Sequence, residues 1–335
     1  MSRFRLICRL MLLLSFAAVG TKAQINITSA NGFPWDLNNA TGDVNDGGTD
    51  AFDAFGFLSL KVSDIGDLQL AQTDRISNFN LVISESNPRL VFSTNSVLIG
   101  GVSLARQLYM PPGTDFIRYF DTFVNTTAAP LKLAIAFQGN LGSDSGTILR
   151  ATSSGDLVFN NSDAWGVTTD TGVFDPVVGM LAGNLNLTTI AGLFSNDPFS
   201  TPWSGNGNDG LSFVYSLTLG PGESSSILFY IYRGLSESTP APGAGAPGPV
   251  GSQVPAAVAA LNAMLANPDL SHLSVQQIGQ IANFTAVPEP STWALLASGG
   301  GLLLFGAWRR RQIVARCFSP RLVNRDRGLK HRATG

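Results

Sequence analysis

The sequence predicts a mainly β protein: an antiparallel β-sandwich or jelly-roll-like ectodomain, then a short helical pair and a single C-terminal transmembrane helix. Three observations carry this. Apolar and polar residues alternate at period two in several runs through the middle of the 335-residue chain. Clusters of Gly, Asn, Asp and Pro cut those runs short, and apolar runs bordered by arginines stand at the two ends. Short alternating runs between turn residues mark half-buried strands, and many in series favour stacked antiparallel sheets.

The elements follow in order. Residues 1–23 carry Arg3, Arg5 and Arg9, an apolar stretch over 10–19, and Thr21-Lys22-Ala23 before Gln24. That is the layout of a secretory signal peptide, and its apolar part is shorter than the roughly 20 residues a membrane span needs. Residues 24–235 form the expected sandwich. In 131–138, Leu131, Leu133, Ile135 and Phe137 oppose Lys132, Ala134, Ala136 and Gln138. In 211–219, Leu211, Phe213, Tyr215, Leu217 and Leu219 share one face. Gly220-Pro221-Gly222-Glu223 then leads into the apolar run 226–232, which reads as a hairpin. Residues 81–84, 90–93, 97–99 and 116–124 are further strands.

Residues 236–255 are rich in Pro, Gly and Ala, the composition of an extended linker or loop. Within 256–286 two helices are expected, over 256–266 and 273–284. Pro255 stands at the first start, and Ser274 with Gln277 three residues on forms a capping box for the second. Residues 293–308 then carry no charge across 16 positions, about 24 Å as a helix. Trp293 and Trp308 suit the two membrane interfaces, and Arg309, Arg310 and Arg311 hold their side in the cytoplasm. The remainder, 312–335, is a basic cytoplasmic tail.

Val287-Pro288-Glu289-Pro290-Ser291-Thr292, the apolar helix and the arginine cluster together resemble the PEP-CTERM sorting signal of exported Gram-negative bacterial proteins. The resemblance covers 287–311 alone. It implies recognition at Pro288, Glu289 and Pro290 by exosortase, a membrane-embedded peptidase or transpeptidase. It also implies the export machinery as a partner and transient anchoring in the inner membrane. The destination it implies is the cell surface, outer envelope or extracellular (biofilm) matrix.

Charge divides the chain in the same way. Residues 24–290 hold eight Lys and Arg against 22 Asp and Glu, a net charge near −14, while the whole chain is at −2. An acidic ectodomain repels nucleic acid, which is excluded as a partner. Cys8 and Cys317 both lie outside the exported part, so no disulfide staples it and a large core must.

One cluster suggests chemistry. Asp43, Asn45, Asp46, Asp50 and Asp53 gather oxygen ligands around Gly47-Gly48, which makes calcium the candidate cofactor. The run resembles an EF-type loop at Asp43, Asn45 and Gly48 but has Ala54 where a bidentate acid belongs. The Gly205-Asn-Gly-Asn-Asp-Gly210 run follows no strand and precedes no helix, so it reads as a turn. His272 is the single histidine of the exported part and stands at a helix flank, and no Gly-x-Ser-x-Gly elbow exists. No catalytic residue is therefore assigned. Trp35, Trp165 and Trp203 are candidates for stacking on sugar, against the commoner role of filling the core. The expectation is a structural or adhesive surface protein with an exopolysaccharide as a candidate partner. A calcium-dependent carbohydrate-binding module is the first rival and a secreted polysaccharide hydrolase the second.

Overall fold

The computed structural model describes residues 24–45, 51–172, 174–192, 199, 205–237 and 251–285. The predicted signal peptide, most of the linker, the sorting segment and the basic tail lie outside these residues. Seventeen strands are described. The first nine are β1 (Gln24–Thr28), β2 (Pro34–Asn38), β3 (Val44–Asn45), β4 (Phe52–Asp64), β5 (Gln69–Thr73), β6 (Leu81–Ser84), β7 (Asn87–Ser93), β8 (Val97–Ile99) and β9 (Val102–Tyr109). After them come β10 (Phe116–Asn125), β11 (Leu131–Leu141), β12 (Ile148–Thr152), β13 (Trp165–Thr169), β14 (Val178–Leu181), β15 (Leu187–Gly192), β16 (Gly210–Leu219) and β17 (Ser224–Arg233). Two helices follow, α1 (Gln253–Ala266) and α2 (Val275–Gly279).

The strands build two antiparallel sheets. The first runs β1-β2-β3-β4-β11-β16-β15, with β5 on the side of β4. The second runs β12-β13-β14-β17-β10-β9-β7-β6, with β8 on β9. Alternation decides which face each strand buries. Leu133, Ile135 and Phe137 of β11 and Phe213 and Tyr215 of β16 meet Tyr119, Phe123, Phe229 and Ile231 of the opposing sheet in one core. Phe137 stacks on Phe229 with centroids 4.0 Å apart, and Phe213 meets the same ring edge-on at 5.0 Å. Each such ring removed from water contributes about 1.5–3 kcal/mol, so the layer between the sheets dominates the fold's stability.

Two expectations are corrected. Strands β16 and β17 are not a hairpin, because they belong to different sheets and the turn between them carries the chain across the sandwich. Asn125 fixes this arch: its Nδ2 donates to Leu219 O at 3.1 Å and Gly220 O at 3.0 Å, and its backbone pairs with Glu223 and Gly222. The second helix ends at Gly279 instead of reaching Phe284. The capping box at Ser274 and Gln277 forms as expected, but the chain then straightens along β17, with Ile281 beside Ser226 in a parallel bridge.

Helix α1 begins earlier than expected, at Gln253, and lies on the outer face of the second sheet. Its fully buried Ala257 and Leu261 pack with Trp165, Leu181 and Tyr230. Gly179 of β14 permits the approach, since a Cβ there would stand 2.8 Å from the Leu261 side chain. Among the described residues no helix is long and apolar enough to cross a membrane.

Candidate functional site

Three residues of the acidic cluster, Asp43, Asn45 and Asp53, lie among the described residues. Asp43 is buried, accepts a hydrogen bond from Thr41 Oγ1, and pairs with Arg75 Nη2 at 3.1 Å. Asn45 and Asp53 stand opposite one another in the ladder between β3 and β4, an antiparallel hairpin and not a helix-flanked loop. Asp46 and Asp50 lie outside the described residues. Among the described residues no group of three or more His, Cys, Asp or Glu side chains is placed to hold a metal ion.

Beside the Asp43–Arg75 pair is a cleft of about 420 Å³ lined by Asn38, Ala40, Thr41, Arg75, Ser77 and Asn78. Its walls are two loops, one between β2 and β3 and one between β5 and β6. Phe79 N donates to Ala40 O at 3.0 Å and Leu81 N to Asn39 O at 2.8 Å, which ties the loops together. Phe79 itself is fully buried below them. The Arg75 side chain keeps 48% of its surface, and its guanidinium lies over the Phe57 ring 4.7 Å from the centroid.

Beneath the cleft the core holds a charged pair. Arg106 and Asp121, opposite one another on β9 and β10, make a bidentate contact at 2.7 and 2.9 Å with both side chains buried. Arg106 Nη1 also donates to Thr41 O at 2.7 Å and Gly56 O at 2.6 Å. The guanidinium is packed among the rings of Phe79, Tyr119 and Phe137 at 5.0–5.7 Å. Two glycines make room. A Cβ at Gly42 (φ +77) would come 2.9 Å from Arg106 Cδ, and one at Gly56 (φ +104) 2.7 Å from the Tyr119 hydroxyl. Burial pushes the Tyr119 phenol well above its ordinary range, and the neighbouring Arg106 only partly offsets this. That hydroxyl has no hydrogen-bond partner among the described residues.

The pair was readable but not read. Arg106 follows Val102 and Leu104 on the inward-facing alternation of β9, and Asp121 follows Ile117 and Tyr119 on that of β10. A charge at an inward position of each of two strands is the signal. The cleft residues, by contrast, stand in loops without periodicity.

The described tryptophans and His272 make contacts within the fold. Trp35 is fully buried beside Phe52, and Trp165 is buried with its Nε1 donating to Asn262 Oδ1 at 3.1 Å, so neither offers a face to sugar. Trp203 lies outside the described residues. His272 meets Tyr109 edge-on and lies 3.0 Å from Asn87 Nδ2, within a loop docked on the second sheet by Arg118. Arg118 donates to Asp269 O at 3.0 Å and Ser271 O at 2.7 Å, and its burial lowers its pKa. Asp209 is buried at the start of β16, and burial followed by the charges of Asp144 and Asp53 raises its pKa.

At the end of the described chain Asn283 is fully buried. Its Nδ2 donates to Ala182 O at 2.7 Å and Leu228 O at 2.6 Å, and its Oδ1 accepts from Leu228 N at 2.9 Å. Thr285 N donates to Asn184 Oδ1 at 3.1 Å. The fold is thus fastened through Thr285.

Residues 286–311 match the PEP-CTERM protein-sorting motif, and the chain carries this signal. Pro288, Glu289, Pro290, Trp293, Trp308, Arg309, Arg310 and Arg311 all fall within the match. No curated protein matches the sequence. Among solved structures the chain is similar to a galactose mutarotase-like protein from Lactobacillus casei, at 10% identity and TM-score 0.40, over 63% of this chain and 100% of that one. It is similar to a Synechocystis protein at 10% identity and TM-score 0.43, over 63% and 96%. A polysaccharide lyase is similar at 13% identity and TM-score 0.40 over 60% of this chain, which spans 32% of the lyase.

Proposed function

We propose that this chain is an exosortase substrate whose ectodomain serves a structural or adhesive, non-catalytic role in the cell envelope or extracellular matrix. Residues 1–23 direct export, 293–308 span the inner membrane, and Arg309, Arg310 and Arg311 remain inside. Exosortase recognises Pro288, Glu289 and Pro290.

One observation carries the reading. The sorting motif begins at residue 286, directly after Thr285, which is hydrogen-bonded into the fold and is the last of the described residues. Cutting near Pro288 therefore releases an ectodomain that has lost none of the contacts described here. The non-catalytic part is supported by how polar groups are spent. The Asp43 carboxylate is engaged by Thr41 and Arg75, the buried Arg106 and Asp121 bind each other, and His272 braces a loop.

Fractionation of cells producing the protein tests this. The wild type is expected to leave the inner membrane, while a variant carrying Pro288→Ala, Glu289→Ala and Pro290→Ala stays there. Identical distribution of the two would overturn the proposal.

A further inference from the structure

The cleft over Asp43 holds polar groups that the fold does not use. Arg75 makes one hydrogen bond among the described residues, to Asp43, which leaves most of its five N–H donors unspent. Asn38 Oδ1 accepts from Ala40 N at 3.0 Å, and the Asn38 amide NH₂ has no partner among the described residues. Ser77 and Asn78 make no side-chain hydrogen bond among the described residues, and Asn78 is held at φ +72.

The backbone that carries these groups is tied in place. The walls are tied at Ala40 and Asn39, Thr41 is held from below by Arg106, and Arg75 is clamped between Asp43 and the Phe57 ring. A site whose donors are already oriented loses little entropy when it binds.

Charge and size narrow the ligand. The buried Asp43 neutralises Arg75, so an anion would find no net positive charge there and a strongly acidic ectodomain around it. A cation would meet the guanidinium. An apolar group would leave the donors and amides without partners at a cost of about 1–3 kcal/mol each. A neutral molecule with several adjacent hydroxyls fits all of them, because each hydroxyl both donates and accepts. The volume of about 420 Å³ lies at the small end of ligand sites.

We infer that the Arg75 cleft binds a neutral sugar residue, recognised by hydrogen bonds from Arg75, Asn38, Ser77 and Asn78 and without a metal ion. This goes beyond the sorting role and does not depend on it. No exposed ring lines the cleft among the described residues, so binding is weak for a single sugar and gains strength when several copies of the protein meet one chain presenting many.

Saturation-transfer NMR on the full chain tests it, in a zwitterionic detergent because maltoside detergents carry the chemistry under test. The probes are the methyl glycosides of glucose, galactose and mannose at tens of millimolar, with methyl glucuronide as the charged arm. At least one neutral glycoside is expected to receive saturation, unaffected by a chelator. Arg75→Lys keeps a cation for Asp43 but loses the planar fork, and is expected to weaken that binding about tenfold, or ~1.4 kcal/mol. Asn78→Ala should weaken it without touching the ion pair, and Lys132→Ala, a surface change, should not. Silence from every neutral probe would overturn the inference, as would signals unchanged in both cleft variants or a preference for the glucuronide.

Discussion

Replacing Asn283 with alanine should cost the ectodomain about 3–4 kcal/mol. Three hydrogen bonds disappear, two donated by Nδ2 and one accepted by Oδ1. Their consequences differ. The Ala182 carbonyl keeps a bond from the Tyr215 hydroxyl at 2.9 Å, so its loss is partial. Leu228 N and O lose the partner that Asn283 supplies, inside a region where the asparagine is fully buried. A buried group left without a partner costs about 1–3 kcal/mol, so two of them cost about 2–6 kcal/mol, with the stated loss near the middle of that range. That is a large fraction of the roughly 5–15 kcal/mol by which domains are stable. The assay is urea unfolding of residues 24–287, which form one compact unit, followed by tryptophan fluorescence. Asn283→Asp is the companion variant. It keeps an acceptor for Leu228 N but sets a carboxylate against the Ala182 and Leu228 carbonyls, so it should lose at least as much. A loss below about 1 kcal/mol for Asn283→Ala would refute the idea that residues 280–285 complete the fold.

Three further expectations concern charges. Arg106→Met alone strands the buried Asp121 and should cost about 3–5 kcal/mol, whereas Arg106→Met with Asp121→Leu should recover much of it, as unfolding curves of both would show. Asp43→Ala should lower thermal stability equally with and without calcium, because the partner it removes is Arg75; a calcium-dependent gain that this change abolishes would favour a metal at the loop instead. Asp209→Asn should stabilise the protein at neutral pH. The raised folded pKa means that ionising Asp209 opposes folding, so the wild type gains stability as pH falls through that pKa and the advantage of the variant shrinks there. An advantage that grew toward low pH would reverse the sign.

The two-sheet layering was legible because alternation reports which side of a strand faces apolar neighbours. Strands β11 and β16 were read almost to their ends on that basis. Alternation does not report which strand lies alongside, and so the arch between β16 and β17 passed for a hairpin. What separates the two is Asn125, 94 residues from Leu219 in sequence. The over-long second helix has a similar cause. Ile278, Ile281 and Phe284 stand three apart, as on one helix face, yet Phe284 is better buried against Tyr230, with rings 6.2 Å apart, once Asn283 reaches β17. The cleft was not legible at all, since Asn38 at the end of β2 and Arg75 and Asn78 in the loop after β5 are brought together only by long-range hydrogen bonds. The sorting signal was legible because a linear peptide motif is read from contiguous residues.

The most direct test of the central claim is the intact mass of the protein recovered from the cell surface and medium. Two ends are expected: an N-terminus at Gln24, and a C-terminus close to Pro288 in the wild type that is lost when Pro288, Glu289 and Pro290 are all alanine. A surface form that retains Arg309, Arg310 and Arg311 would contradict it, and would make the C-terminal segment a plain anchor.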